Sequence, residues 1–369
     1  MRLRIARFLE LQDRELGMSL DRVLQPLVAC LGNPVGGNPT QFVMTRLASE
    51  AELDWRFFTS QVPPELFETA FRGIQALGMS GAAILPPFES SVGRFLDSIS
   101  PRAQALGKVQ VVKWQAEQWV GDETISTAIL RALTHRISAH AVSAQAVSAQ
   151  VAQDDQNSED AFTPQSIGVI GSMELANALQ LALVDIPGDY AILHFDETLK
   201  HAKALSTVYP LKTPSDEPHD PSDPNFLGSD SPDLNFPDLN SPVLNSPVLN
   251  SPGTSAEEEL VPKDRPLRAL IIEQFESLAS SSPQARNRLL MPGNFVQHPF
   301  AIFVPPTNGW TESTKDRSRW IEQIEAHRIE WIEEIEVLTH QFAINFEFWS
   351  GYEAPLDSIR ESLEEYLQW

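Results

Sequence analysis

Gly81-Ala82-Ala83-Ile84-Leu85-Pro86-Pro87-Phe88-Glu89 is the stretch on which the reading of this chain turns. A short apolar run that ends in two prolines predicts a strand over 80–85, because prolines cannot continue a sheet ladder. On either side, short apolar runs alternate with helical spacing. Strands are expected at 27–31, around Trp55–Phe58 and at 108–114, and helices near 40–52, 64–77, 89–97 and 124–135. Strands interleaved with helices predict an α/β fold with parallel pairing.

The pattern restarts further along. Ser166-Ile167-Gly168-Val169-Ile170-Gly171 reads as a strand, Met173 to Leu183 as a helix, Tyr190 to Phe195 as a strand and Thr198 to Leu205 as a helix. That is the βαβ opening of a Rossmann-like lobe. Strands are expected again at 267–272 and 300–304, an acidic helix over Trp320–Glu336, and helices over 338–351 and 356–367. The expected organisation has five parts. An amphipathic helix occupies 1–26, a first lobe 27–135 completed by 336–369, and a flexible linker 136–162 in which Ala-Val-Ser-Ala-Gln repeats at 141–150 as a helix extension. A Rossmann-like lobe follows over 163–335, and within it lies an insert at 211–262. That insert holds ten of the 28 prolines and the recurring unit Ser-Pro-Val-Leu-Asn. So many prolines forbid a regular helix, and one leucine per unit cannot offset the ordering entropy, so disorder is expected, with docking of a protein partner as its possible use.

Composition narrows the function. A chain of 369 residues has room for about two domains, and 42% hydrophobic content is enough to build their cores. The net charge of −23 argues against nucleic acid, whose phosphates need a surplus of Lys and Arg. No run of about 20 apolar residues predicts a membrane span. The eight histidines show no His-x-x-x-His or Cys/His spacing, so no metal site is expected. Cys30 is the single cysteine and reads as a packed, inert thiol, which makes a reducing cytoplasm the expected setting.

Several segments together resemble the shikimate dehydrogenase family. They are Gly32-Asn33-Pro34-Val35, the 81–89 stretch, Gly121-Asp122-Glu123-Thr124-Ile125 and Gln341-Phe342-Ala343-Ile344-Asn345-Phe346-Glu347-Phe348-Trp349-Ser350-Gly351, in order and at similar spacing. The resemblance implies an α/β substrate-binding lobe, a Rossmann-like dinucleotide-binding lobe and C-terminal helices that return to the first lobe. It implies NADP-linked reduction of 3-dehydroshikimate in aromatic amino acid biosynthesis, with a lysine and an aspartate handling the proton. Glu89 and Ile125 stand at those two positions. The family's substrate-binding positions correspond to Asn38, Thr40, Gln110 and Gln341, which could still grip a small polyhydroxy acid.

On the cofactor side the family's Gly-x-Gly-Gly-Ala corresponds to Gly171-Ser172-Met173-Glu174-Leu175, and its Asn-Arg-Thr to Asp196-Glu197-Thr198. A dinucleotide site needs bare backbone at a helix N-terminus, and two carboxylates near the phosphates repel them. Gly171, Ser172 and Asp196 are what remains to meet a cofactor. The expected reading is a family member with impaired or lost oxidoreduction and no cofactor, a pseudoenzyme. The alternative is an active dehydrogenase with NAD or NADP and a shifted acid/base, such as Glu89 with Thr124.

Overall fold

The computed structural model describes residues 25–151, 164–196, 199, 201–205, 260–273, 281–305 and 321–368, without side chains from 143 to 151. The expected N-terminal helix up to residue 24, the linker beyond Val151 and the insert up to residue 259 lie outside the described residues.

The first lobe is a sheet of six strands in the order β2-β1-β3-β5-β6-β4. These are β1 (Leu27–Gly32), β2 (Arg56–Gln61), β3 (Gly81–Ile84), β4 (Ser98–Ile99), β5 (Val111–Gln115) and β6 (Gln118–Asp122). β1 pairs in parallel with β2 and β3, while β5 runs antiparallel to β3 and β6. Alternate residues of β1 serve opposite faces, as strand geometry requires. Val28 and Cys30 join one core with Val43 and Met44 of α1 (Thr40–Glu50), while Ala29 and Leu31 join another with Phe67 and Phe71 of α2 (Phe67–Ala76). Gly81 is required where β3 passes beneath a tryptophan: a Cβ there would lie 2.4 Å from the Val112 carbonyl oxygen and 2.9 Å from the Trp349 indole.

Residues 89–97, expected as a helix, form turns and a single 3₁₀ turn at Val92–Phe95. The backbone there is held by Phe88, Leu96 and Val109, each buried in the same cluster. After α3 (Pro101–Leu106) and the β5–β6 hairpin comes α4 (Ile125–Val151), which continues well past 135. The Ala-Val-Ser-Ala-Gln repeat is thus helical through its whole length.

The second sheet has the order β12-β11-β10-β7-β8-β9, built from β7 (Gln165–Ile170), β8 (Tyr190–Phe195), β9 (Ala202–Ala204), β10 (Leu267–Ile272), β11 (Phe295–Phe303) and β12 (Glu330–Ile332). All its pairings are parallel except β8 with β9. The helices between are α5 (Met173–Ala182) and α6 (Pro283–Leu289). Two expectations fail here. Residues 202–204 are an antiparallel edge strand rather than helix, pairing back onto β8. The acidic helix over 320–336 is interrupted: Arg328 takes a positive φ of 61°, and Ile329 and Ile332 turn inward so that β12 can add to β11. Leu260 and Val261, at the end of the expected insert, are buried in the second lobe's core.

The C-terminal helices α7 (Glu334–Ser350) and α8 (Leu356–Leu367) return to the first lobe. Phe342, Phe346, Trp349, Ile359 and Leu363 share the core of Val28, Val43 and Phe57. α4 faces the other way as well, with Ala128, Ile129, Ala132 and Leu133 packing among Ile167, Val169, Ala269 and Ile271 of the second sheet. Among the described residues, no helix is long and apolar enough to cross a membrane.

Candidate functional site

In each sheet the chain reverses its direction of winding beside the first strand. β1 lies between β2 and β3, and β7 between β8 and β10, giving the parallel part of the second sheet the order 2-1-3-4-5. Open α/β sheets bind ligands in the crevice outside the carboxyl ends of the strands at such a point. The two crevices of this chain differ in what fills them.

Beyond β1 and β3 there is a cavity of about 120 Å³. At roughly 30 Å³ per water it holds on the order of four water molecules. Its walls bring together Asn38, Thr40, Glu89, Gln110, Ile125 and Gln341, so every sequence-expected substrate position and both catalytic positions meet around one space. Thr40 opens α1, and Asn38 Oδ1 accepts from its backbone N–H at 3.0 Å and from the Cys30 thiol at 3.6 Å. Burial pushes that thiol up to about 12, which suits a packed and unreactive cysteine.

Glu89 is only 6% exposed, and it sits in a turn where the expected 89–97 helix does not form. Burial raises its carboxyl above the ordinary range, against the opposing pull of Lys108 and of the Gln110 amide, which donates to Glu89 Oε1 at 3.4 Å. Gln110 Oε1 is in turn occupied, accepting from the backbone N–H groups of Thr124 at 3.0 Å and Ile125 at 3.1 Å. The residue thus closes the N-terminus of α4, supplying partners for donors that a helix start leaves open. Gln341 Nε2 donates to Thr124 Oγ1 at 3.3 Å, which extends the chain of amides across to α7. Ile125 contributes hydrocarbon only and is 6% exposed.

Sequence reasoning missed Glu123. It is wholly buried and accepts from the Ser126 backbone N–H at 3.0 Å and from the Ser126 hydroxyl, with Arg102 Nε 3.5 Å from its carboxylate. Burial raises its carboxyl above the usual range. The signal was a carboxylate three residues before a serine at a helix start, a capping arrangement.

The second crevice, beyond β7 and β10, is occupied by the protein itself. Gly171 and Ser172 follow β7 and lead into α5, whose N-cap is Ser172, with its hydroxyl accepting from Leu175 N–H at 3.2 Å. Glu273, the residue after β10, places Oε2 2.6 Å from the Ser172 backbone nitrogen and 2.6 Å from its hydroxyl oxygen; both groups donate to it. A helix N-terminus at a sheet switch point attracts anions through its free N–H groups and its dipole. Here an internal carboxylate already sits there, close enough that a Cβ on Gly171 would lie 2.6 Å from Glu273. Glu174 adds a second carboxylate in the first turn. Asp196 stands at the end of β8, where its backbone carbonyl accepts from Leu199 N–H at 3.0 Å. The set of donors that a pyrophosphate would need therefore does not fit one as it stands.

A two-lobed α/β protein with a polar cavity in the first lobe and a doubly wound second lobe is the class so defined. Residues 30–112 match the family profile of the shikimate dehydrogenase substrate binding domain. The chain is similar to the shikimate dehydrogenase (NADP(+)) of Bacillus licheniformis, 29% identical over 94 residues that cover 26% of this chain and 34% of that protein. That of Bacillus subtilis is 27% identical over 95 residues. The matched region spans about a third of these relatives' length. In structure the chain is similar to shikimate dehydrogenase from Aquifex aeolicus, with a TM-score of 0.53, 18% identity and coverage of 92% of this chain and 97% of the other. It is also similar to the ligand-free 5-ketofructose reductase of Gluconobacter, with a TM-score of 0.51, 15% identity and coverage of 93% and 99%. Residues 30–112 thus match the substrate-binding domain of the shikimate dehydrogenase family, and across its described residues the chain shares the fold of these solved structures.

Proposed function

We propose that this chain is a shikimate dehydrogenase-family protein without dinucleotide-linked oxidoreduction, which keeps the first-lobe cavity as a binding site for a small, hydroxyl-rich acid. The observation that carries this reading is Glu273 seated on the N-terminus of α5, since a carboxylate there competes directly with a pyrophosphate for the same donors. The cavity points the same way. The resemblance puts a lysine at position 89, where it would offset the negative charge that grows on the carbonyl oxygen as hydride arrives, and the carboxyl group buried there supplies no such positive charge. Ile125 can carry no proton. What stays useful is the amide set of Gln341, Gln110 and Asn38 together with the Thr40 hydroxyl. The matching relatives are described as acting with NADP(+), and the proposal separates this chain from them on its own residues. The single buried thiol suits a reducing cytoplasmic setting.

The test is thermal stabilisation of the purified protein by shikimate, quinate, NAD and NADP, with nicotinamide absorbance followed in the same samples. A ligand that binds only the folded form raises its apparent stability. Stabilisation by the acids and not by the dinucleotides is expected. Shikimate-dependent reduction of either dinucleotide would instead favour an active enzyme. Glu89, whose carboxyl is raised above the ordinary range by burial, would then be the acid that reaches the substrate oxygen.

A further inference from the structure

A cluster outside both crevices joins α4 to α7. His135 lies on α4, while Glu336 and His340 lie four residues apart on α7 and so on one face of that helix. One ring nitrogen of each histidine and one oxygen of Glu336 all fall within 4.8 Å of one another. His135 Nδ1 is 3.2 Å from Glu336 Oε1, and the two imidazoles meet edge to face with ring centroids 5.6 Å apart. Glu336 is 7% exposed and His340 6%, whereas the His135 side chain is 58% exposed. Among the described residues this is the group of three whose donors converge in this way.

We propose that His135, Glu336 and His340 form a binding site for a divalent transition ion of the Zn²⁺, Co²⁺ or Ni²⁺ kind. Two imidazoles and one carboxylate are the donor set these borderline ions take, with remaining positions left to water. Metal–ligand bonds of roughly 2.0–2.2 Å set donor atoms about 3.3 Å apart around a tetrahedral ion. The pair already at 3.2 Å meets that spacing, and His135, on the solvent side, is the member with room to rotate to the rest. Two arginines lie near, but each has its own acid. Arg136 pairs with Glu330 at 2.8 Å and is 3.7 Å from Glu336, and Arg131 pairs with Glu347 at 3.0 Å. Arg136 approaches Glu336 only through Oε2, which leaves Oε1, the oxygen beside His135, to face a cation. An ion bound here would clasp α4 to α7 one residue before Gln341, itself part of the cavity wall. The inference stands whether or not the cavity binds an acid.

The experiment titrates the chelator-treated, dialysed full chain with Co²⁺, then with Zn²⁺ as competitor. One equivalent of Co²⁺ with visible ligand-field absorption, displaced by Zn²⁺, is expected, with a rise in melting temperature. His135→Ala and, separately, Glu336→Gln should each weaken binding at least roughly 10–100-fold, the loss already seen on removing partners of metal ligands. Circular dichroism checks folding; His135→Ala, an exposed change, is expected to fold. Failure of the wild-type chain to bind one equivalent, or unchanged affinity in folded His135→Ala, overturns the proposal.

Discussion

Glu273 Oε2 accepts from both the backbone nitrogen and the hydroxyl of Ser172, each at 2.6 Å, so the N-terminus of α5 carries its own anion. The first-lobe crevice has no such plug and is open. One molecule thus presents the same topological site twice, once free and once filled from within.

Glu273→Ala should remove two charge-assisted hydrogen bonds and lower stability by about 1.5 kcal/mol, the low end for such bonds because the pair is only partly buried. The bared donors should then take up an external anion. Urea denaturation with and without added pyrophosphate checks both statements: pyrophosphate should stabilise the variant more than the wild type.

The raised carboxyl of Glu89 sets a pH dependence. Above the ordinary carboxylate value the unfolded chain has lost this proton while the folded chain retains it. Stability therefore falls as pH rises from about 4.5 through the folded-state value, and levels off beyond it. Glu89→Gln keeps the shape and lacks the titration. The variant should gain on the wild type across that rise and match it near pH 4, as measured by urea denaturation from pH 4 to 8.

Arg102 meets Asp122 at 3.0 Å, Glu123 at 3.5 Å and Asp185 at 3.2 Å. Arg102→Ala should leave the Glu123 carboxylate buried without a countercharge and cost about 3 kcal/mol. Asp185→Ala touches only the exposed arm and should cost under about 1 kcal/mol. Comparing the two denaturation midpoints separates the buried from the exposed contribution.

Gly81→Ala should destabilise by about 2 kcal/mol or more, because the new methyl meets a strand carbonyl and the Trp349 indole at once. Trp349 donates to that same Val112 carbonyl at 3.0 Å, so the ring is not free to withdraw. Tryptophan fluorescence during unfolding reports the change.

Much of the fold was legible because it rests on local patterns. The β8 run Tyr190–Phe195 and the α8 run Leu356–Leu367 fall where apolar spacing puts them. The misses came from tertiary pairing. β12 exists because Ile329 and Ile332 find the edge of β11, and β9 because Ala202–Ala204 can fold back on β8. No local pattern announces either event. For the site, the motif spacing brought Asn38, Thr40, Glu89, Gln110, Ile125 and Gln341 to one cavity wall. Glu273 escaped notice because it belongs to no motif and acts across about a hundred residues of chain. The His135–Glu336–His340 group escaped for the same reason: Glu336-x-x-x-His340 is too common a spacing to single out, and His135 joins it from about two hundred residues away.

Helix α4 has a mechanical meaning. Its first turn is held by Gln110, just before β5 of the first sheet, and Ala128–Leu133, which follow, pack among the strands of the second. Heat or denaturant cannot dissolve one half of this assembly while leaving the spine of the other intact. Calorimetry should record one cooperative melting event across both sheets instead of two staggered ones.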